Sequence, residues 1–168
     1  PSNPNVLTSN TTWTNGKAKI VYGNLTVDQN VTLDIQVGTK VYFHKNSGMK
    51  VAAGATLNMN GTQNDQIIVR GDRNDSYYDT IPRNWNSIKM EPASILNMNH
   101  TRLFGGTRGL DMTQTNATIK NSFIHTFEEY GIYAVASTVS GSNLVMNNCG
   151  ESAIGIFKGG NHTYTHAT

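Results

Sequence analysis

Ser87-Ile88-Lys89-Met90, Gly109-Leu110-Asp111-Met112, Gly131-Ile132-Tyr133-Ala134 and Ala153-Ile154-Gly155-Ile156 begin at positions 87, 109, 131 and 153. Each tetrad starts 22 residues after the one before it, and each reads small, apolar, variable, apolar. Alternation with period 2 turns Ile88, Leu110, Ile132 and Ile154 to one face of a strand, followed inward by Met90, Met112, Ala134 and Ile156. Lys89, Asp111, Tyr133 and Gly155 then point outward, and they share no chemistry. A uniform inside with a varied outside is how a solenoid behaves, because each coil buries its apolar side chains against the coils on either side.

The first half repeats more loosely. Leu25-Thr26-Val27, Val31-Thr32-Leu33-Asp34-Ile35, Gly38-Thr39 and Val41-Tyr42-Phe43 are echoed by Met49-Lys50-Val51, Ala55-Thr56-Leu57-Asn58-Met59, Gly61-Thr62 and Ile67-Ile68-Val69. The offset is 24 residues from Val27 to Val51 and from Leu33 to Leu57, and 23 at the Gly-Thr pairs. A turn of variable length produces such a drift. Two or three short strands separated by Gly or Asn turns fill about 22 residues, one rung of a parallel stack with strands about 4.8 Å apart.

Composition agrees. Among 168 residues there are 21 Asn, 20 Thr and 16 Gly, and only 14% of the chain is charged. Asn, Thr and Gly are poor helix formers, which excludes a helical bundle. A hydrophobic share of 37% with net charge +2 does not fit a disordered chain. The cations are not clustered, and Arg70, Arg73 and Arg83 are interleaved with Asp72, Asp75 and Asp79, so a nucleic-acid partner is not expected. Cys149 stands alone, so no intrachain disulfide forms. No apolar run approaches the roughly 18 residues of a transmembrane segment. The reading is all-β.

The run from Val27 through Val31-Thr32-Leu33-Asp34-Ile35, Gly38-Thr39 and Val41, then Val51 to Val69, then Trp85-Asn86-Ser87-Ile88, resembles the first rungs of secreted bacterial right-handed parallel β-helix proteins, the pectin-lyase-like fold. The likeness covers roughly residues 20–168. It implies a single-stranded right-handed parallel β-helix (a solenoid) of about six rungs with repeats of about 22–24 residues, in a protein of the extracellular space or outer cell surface. The fold hosts lyases, hydrolases, epimerases, adhesins and spacers, so it leaves activity open.

Residues 1–10 read as a linker, 11–23 with Trp13, Ile20 and Tyr22 as an N-terminal cap, and 24–168 as the β-helix. From Gly159-Gly160-Asn161 another rung begins and the chain stops, which predicts a fragment of a longer β-helix, or end-to-end self-association at an uncapped C-terminus. Asn99, Asn121 and Asn143 stand 22 apart and predict an asparagine ladder at one corner, because Asn tolerates left-handed backbone angles and bonds to its counterpart above.

Three candidate sites follow. Lys89, Asp111 and Tyr133 form an outward column in which an acid/base pair adjoins an aromatic sugar platform, with Arg108 or His125 nearby; catalysis on the outer sheet face is what the resemblance implies. The plainer reading of that column is a surface salt bridge worth less than about 1 kcal/mol. Paired carboxylates for glycoside hydrolysis are disfavoured, because Asp111 has no acid beside it in its column and the adjacent Glu128 and Glu129 would face opposite ways in a strand, their directions being open only in a turn. Tyr77, Tyr78 and Trp85 in the polar insertion 70–86 offer stacking faces for sugar rings, although Trp85 also fits a packed corner. Asp72, Asn74, Asp75 and Asp79 place several oxygens within eight residues, a candidate calcium loop set against Arg–Asp pairing in a solvated loop. The functional expectation is a scaffold presenting loops to a polysaccharide or cell-surface glycan. The rivals are a fragment of a polysaccharide lyase or glycoside hydrolase, and a purely structural spacer or adhesin stalk.

Overall fold

In the computed structural model, which describes residues 5–168, the chain winds into a parallel β-solenoid of seven coils. The first coil holds β1 (Val6–Leu7), β2 (Thr11–Trp13) and β3 (Lys19–Val21). The second holds β4 (Asn24–Val27), β5 (Thr32–Gln36) and β6 (Lys40–Phe43), and the third β7 (Gly48–Val51), β8 (Thr56–Asn60) and β9 (Ile67–Gly71). The fourth follows with β10 (Ile88–Met90), β11 (Ile95–Asn99) and β12 (Thr101–Phe104). The fifth has β13 (Leu110–Thr113) and the long β14 (Asn116–Phe127), the sixth β15 (Tyr130–Val135) and the long β16 (Thr138–Cys149). The seventh ends the series with β17 (Ser152–Phe157) and β18 (His162–Ala167).

Stacking these coils makes three faces. The first is a seven-stranded sheet in the order β1-β4-β7-β10-β13-β15-β17. The second runs β2-β5-β8-β11 and the third β3-β6-β9-β12, and β14 joins them because one continuous strand pairs with both β11 and β12. Asn121 (φ 48°) in β14 and Asn143 (φ 52°) in β16 turn that corner without interrupting the strand.

The tetrads stack in the predicted register: Ile88 on Leu110 on Ile132 on Ile154, and Met90 on Met112 on Ala134 on Ile156. On the second face Leu33, Leu57, Leu96, Ala117 and Val139 form one inward column, all buried. Each fully buried aliphatic side chain contributes on the order of 1.5–3 kcal/mol, so the core is a set of stacked apolar columns. Ile156 departs from the pattern at 47% exposed, since no described strand lies over β17.

The expected rung count of about six becomes seven at the N-terminus. Val6–Leu7 pairs with Thr26–Val27, Thr11–Trp13 with Leu33–Ile35 and Lys19–Val21 with Val41–Phe43. The stretch 11–23, expected as a separate cap, and the end of the expected linker 1–10 are therefore strands of a coil in register with its neighbour. Residues 1–4 lie outside the described residues. Strands of two or three residues leave too short a pattern for periodicity to detect.

The insertion sits between the third and fourth coils, where Met49 pairs with Ile88, 39 positions on. It contains one 3₁₀ turn, Ser76–Asp79, whose first N–H groups are capped by the Asp75 carboxylate accepting from the Tyr77 amide at 2.9 Å. Its exit is anchored by Asn84, which donates to the carbonyls of Tyr78 (2.8 Å) and Ile81 (2.9 Å). No helix among the described residues is long and apolar enough to cross a membrane.

Candidate functional site

The outward column of the first face runs Thr26, Lys50, Lys89, Asp111, Tyr133 and Gly155 in strict register. Lys89, Asp111 and Tyr133 are thus neighbours on successive strands, as the spacing predicts. The expected Lys89–Asp111 ion pair is not formed. Lys89 Nζ meets Glu91 at 3.3 Å, and Asp111 accepts from Arg108 Nη1 at 3.2 Å. Residues two or three positions away along the chain reach these groups more easily than the partner across the ladder.

Arg108 organises the site. It lies in the turn before β13, donates through Nε to Glu129 and through Nη1 to Asp111, and lays its guanidinium 4.2 Å from the centre of the Tyr133 ring. Burial works against its charge, but the Glu129 hydrogen bond and the fields of Asp111 and Glu129 outweigh that cost, and its pKa is raised. Asp111 of the column and Glu129, which the sequence places outside it, therefore share one guanidinium. Glu129 belongs to a turn, whose side-chain directions no period determines.

On the other side of Tyr133 lies an aromatic platform. Tyr130 and Phe157 pack against Tyr133 at 5.2 and 4.6 Å between ring centres. They converge over Gly155, where a Cβ would stand 2.7 Å from the Tyr130 ring and 2.8 Å from that of Phe157. Bare backbone at this step of the column is what lets the two rings meet. Phe157 is 37% exposed, so part of the platform faces solvent.

Three open clefts, of about 420, 240 and 500 Å³, lie around Asn86 at the start of the first face. All three are lined by Asn86; the first adds Lys50 and Lys89, the second Arg108 and Asp111, the third Arg83 and Glu128. Together they make an open groove, linked to the rings through Arg108, which lines the second cleft and lies over Tyr133. Arg108, Glu129, Tyr130 and Phe157 complete a site of which the column alone showed half.

The remaining candidates separate. Trp85 is 1% exposed: its ring stacks on Phe43 at 4.8 Å, meets Phe127 edge-on at 6.2 Å, and its Nε1 donates to the Phe104 carbonyl at 2.9 Å. It is a core residue with no face for a sugar, because an indole with its N–H satisfied gains more from burial than from exposure. Tyr77 is 63% exposed and packs edge-on to Tyr78 at 5.7 Å, while Tyr78 is half-buried with the Arg73 guanidinium 5.2 Å from its ring centre, so Tyr77 alone offers an open face.

The four oxygens proposed for calcium do not converge. Asp72 binds His44 Nδ1 at 2.7 Å, Asn74 accepts from Arg70 Nη2 at 3.3 Å, Asp75 caps the 3₁₀ turn and Asp79 pairs with Arg70. Among the described residues no group of three or more His, Cys, Asp or Glu could hold a metal. Of the three carboxylates only Asp79 pairs with an arginine; a histidine and a backbone amide take the other two. His125 is also displaced from its expected place near Lys89 and Asp111: it lies on the third face, where Phe104, His125 and Asn147 stack. Cys149 is a free thiol whose pKa burial raises, against opposing hydrogen bonds from the Phe127 and Gly131 backbone.

No family model, no curated protein and no solved structure matches this chain.

Proposed function

We propose that the protein is a rigid β-solenoid scaffold that binds carbohydrate along the outer groove of its first face. The observation that supports this most is the juxtaposition of the Tyr133–Tyr130–Phe157 rings with the Arg108–Asp111–Glu129 cluster. Sugars present an apolar ring face and a rim of hydroxyls, and this surface offers an aromatic platform beside fixed donors and acceptors. A stacked sheet holds those groups with little loss of entropy on binding. The reading also includes a secreted or cell-surface location and kinship with secreted bacterial right-handed, pectin-lyase-like β-helix proteins, on the strength of the parallel coil alone.

Titrating a broad panel of neutral and acidic oligosaccharides by calorimetry tests it. Tyr133→Ala is expected to weaken the best ligand about tenfold, equivalent to about 1.4 kcal/mol, while Tyr77→Ala separates a contribution from the inserted loop. Absence of binding across the panel would sink the reading and leave a structural spacer.

A second reading, a polysaccharide lyase or glycoside hydrolase, is favoured by one observation: Asp111 and Glu129 meet at one guanidinium beside the groove. Two acids flanking a groove are what hydrolysis of a glycosidic bond requires. Turnover of any polysaccharide that disappears in Asp111→Asn would establish it, and binding without cleavage would leave the scaffold.

A further inference from the structure

The third face holds a cation without an anion. Arg102 in β12 is half-buried, its guanidinium carbon 4.9 Å from the centre of the Phe104 ring and 5.6 Å from that of Phe123. Its Nε donates to His125 Nε2 at 3.1 Å. That bond makes Nε2 an acceptor, so the imidazole proton sits on Nδ1 and points to Thr126 Oγ1 at 2.9 Å. Asn148 Nδ2 donates to the same hydroxyl at 3.2 Å. The imidazole is stacked against Phe104 at 4.7 Å and Phe123 at 4.2 Å, which fixes its plane. Burial, and after it the charge of Arg102, push the His125 pKa down to about 4, so the ring is neutral near pH 7.

Arg102 is therefore held through Nε and its two flanking rings, while Nη1 and Nη2 have no partner among the described residues. Arg70, Arg83 and Arg108 each meet a carboxylate; among the described residues Arg102 meets none, nor does Arg73, which lies in the exposed insertion over the Tyr78 ring. Asp79, whose field reaches His125, is itself paired with Arg70. The two rings brace the guanidinium while Nη1 and Nη2 stay open to solvent, and these coplanar N–H donors match an oxyanion in a two-point fork.

We propose that Arg102, braced by Phe104, Phe123 and His125, is an oxyanion-binding site on the third face, taking a carboxylate, sulfate or phosphate group, free or carried on a larger ligand. It shares no residue with the groove on the first face and holds independently of the glycan reading there. The test is a titration of the isotope-labelled chain by NMR, with sodium sulfate against sodium chloride at matched ionic strength. Sulfate is expected to produce saturable shifts confined to the amides of residues 102–104 and 123–126, and Arg102→Gln to weaken that binding about tenfold or more. Shifts that match those of chloride, or saturation unchanged in Arg102→Gln, would overturn the assignment. If Arg102→Gln does not fold, Arg102→Lys keeps the charge but not the fork, and unchanged binding in that variant overturns it equally. A sulfated oligosaccharide that binds the same amides more tightly than sulfate identifies a carried group, and equal affinity identifies the free ion; both outcomes support the site. A neutral oligosaccharide that shifts first-face amides equally in wild type and Arg102→Gln keeps the two sites apart.

Discussion

Gly109 shows at the level of one residue why the repeated tetrad opens with a small side chain. A Cβ there would stand 2.4 Å from the Gly131 carbonyl oxygen, an atom locked in the next strand's ladder. The backbone cannot yield without breaking register, so Gly109→Ala is expected to cost about 1–3 kcal/mol, read from urea unfolding. His125 gives a second prediction. Its folded pKa, about 4, lies below the ordinary value of 6.5, so the unfolded chain binds its proton first as pH falls. Stability from this group is complete above pH 6.5, is lost between about 6.5 and 4, and is flat below that. A series of thermal melts over this range should show the loss in the wild type and less of it in His125→Asn.

The corner ladder belongs to the scale of the element. Asn121 Nδ2 donates to Asn99 Oδ1 at 2.9 Å, and Asn143 Nδ2 donates to Asn121 Oδ1 at 2.8 Å, the connections expected from a spacing of 22. The strand register differs by one residue: Asn99 pairs with Lys120, and in the fourth coil it is His100 that takes the positive φ, 44°. The side chains bridge that offset. Asn121→Ala loses both bonds and leaves at φ 48° a residue that tolerates the left-handed region less well than Asn, for a loss of about 1–3 kcal/mol. Asn121→Gly keeps the angle and loses only the bonds, so calorimetric melting of the pair separates ladder from backbone strain; equal losses would mean that the angle contributes nothing. A second ladder, Asn97 to Asn58 at 2.8 Å and Asn58 to Asp34 at 2.6 Å, runs up the outer second face. It spans the insertion, an offset of 39, which hid it from any fixed period.

Across the molecule, the insertion between the third and fourth coils is sealed by an aromatic spine from Phe43 in β6 through Trp85 to Phe127 at the end of β14. Each coil touches mainly its neighbours, so a defect at this junction weakens the link between the halves of the stack. Trp85→Ala is expected to cost about 3–5 kcal/mol and to divide denaturation, followed by circular dichroism, into two transitions. A single unbroken transition of reduced midpoint would show that the insertion backbone, through Asn84, holds the coils together instead.

The sequence by itself determined the coil. Side chains in a parallel stack must repeat in their own columns, so a core of stacked Ile, Leu and Met writes a period into the chain. Lys89, Asp111 and Tyr133 were placed in one column by the same arithmetic. The tertiary structure decided everything carried by turns and ends: the seventh coil, the burial of Trp85, the scattering of the supposed calcium ligands, and the convergence of Arg108, Tyr130 and Phe157 on Tyr133 with Glu129 held on Arg108. The physical reason is that a strand alternates and a turn does not. Period fixes direction along a strand, whereas a turn residue points where its local hydrogen bonds and the neighbouring coils leave room.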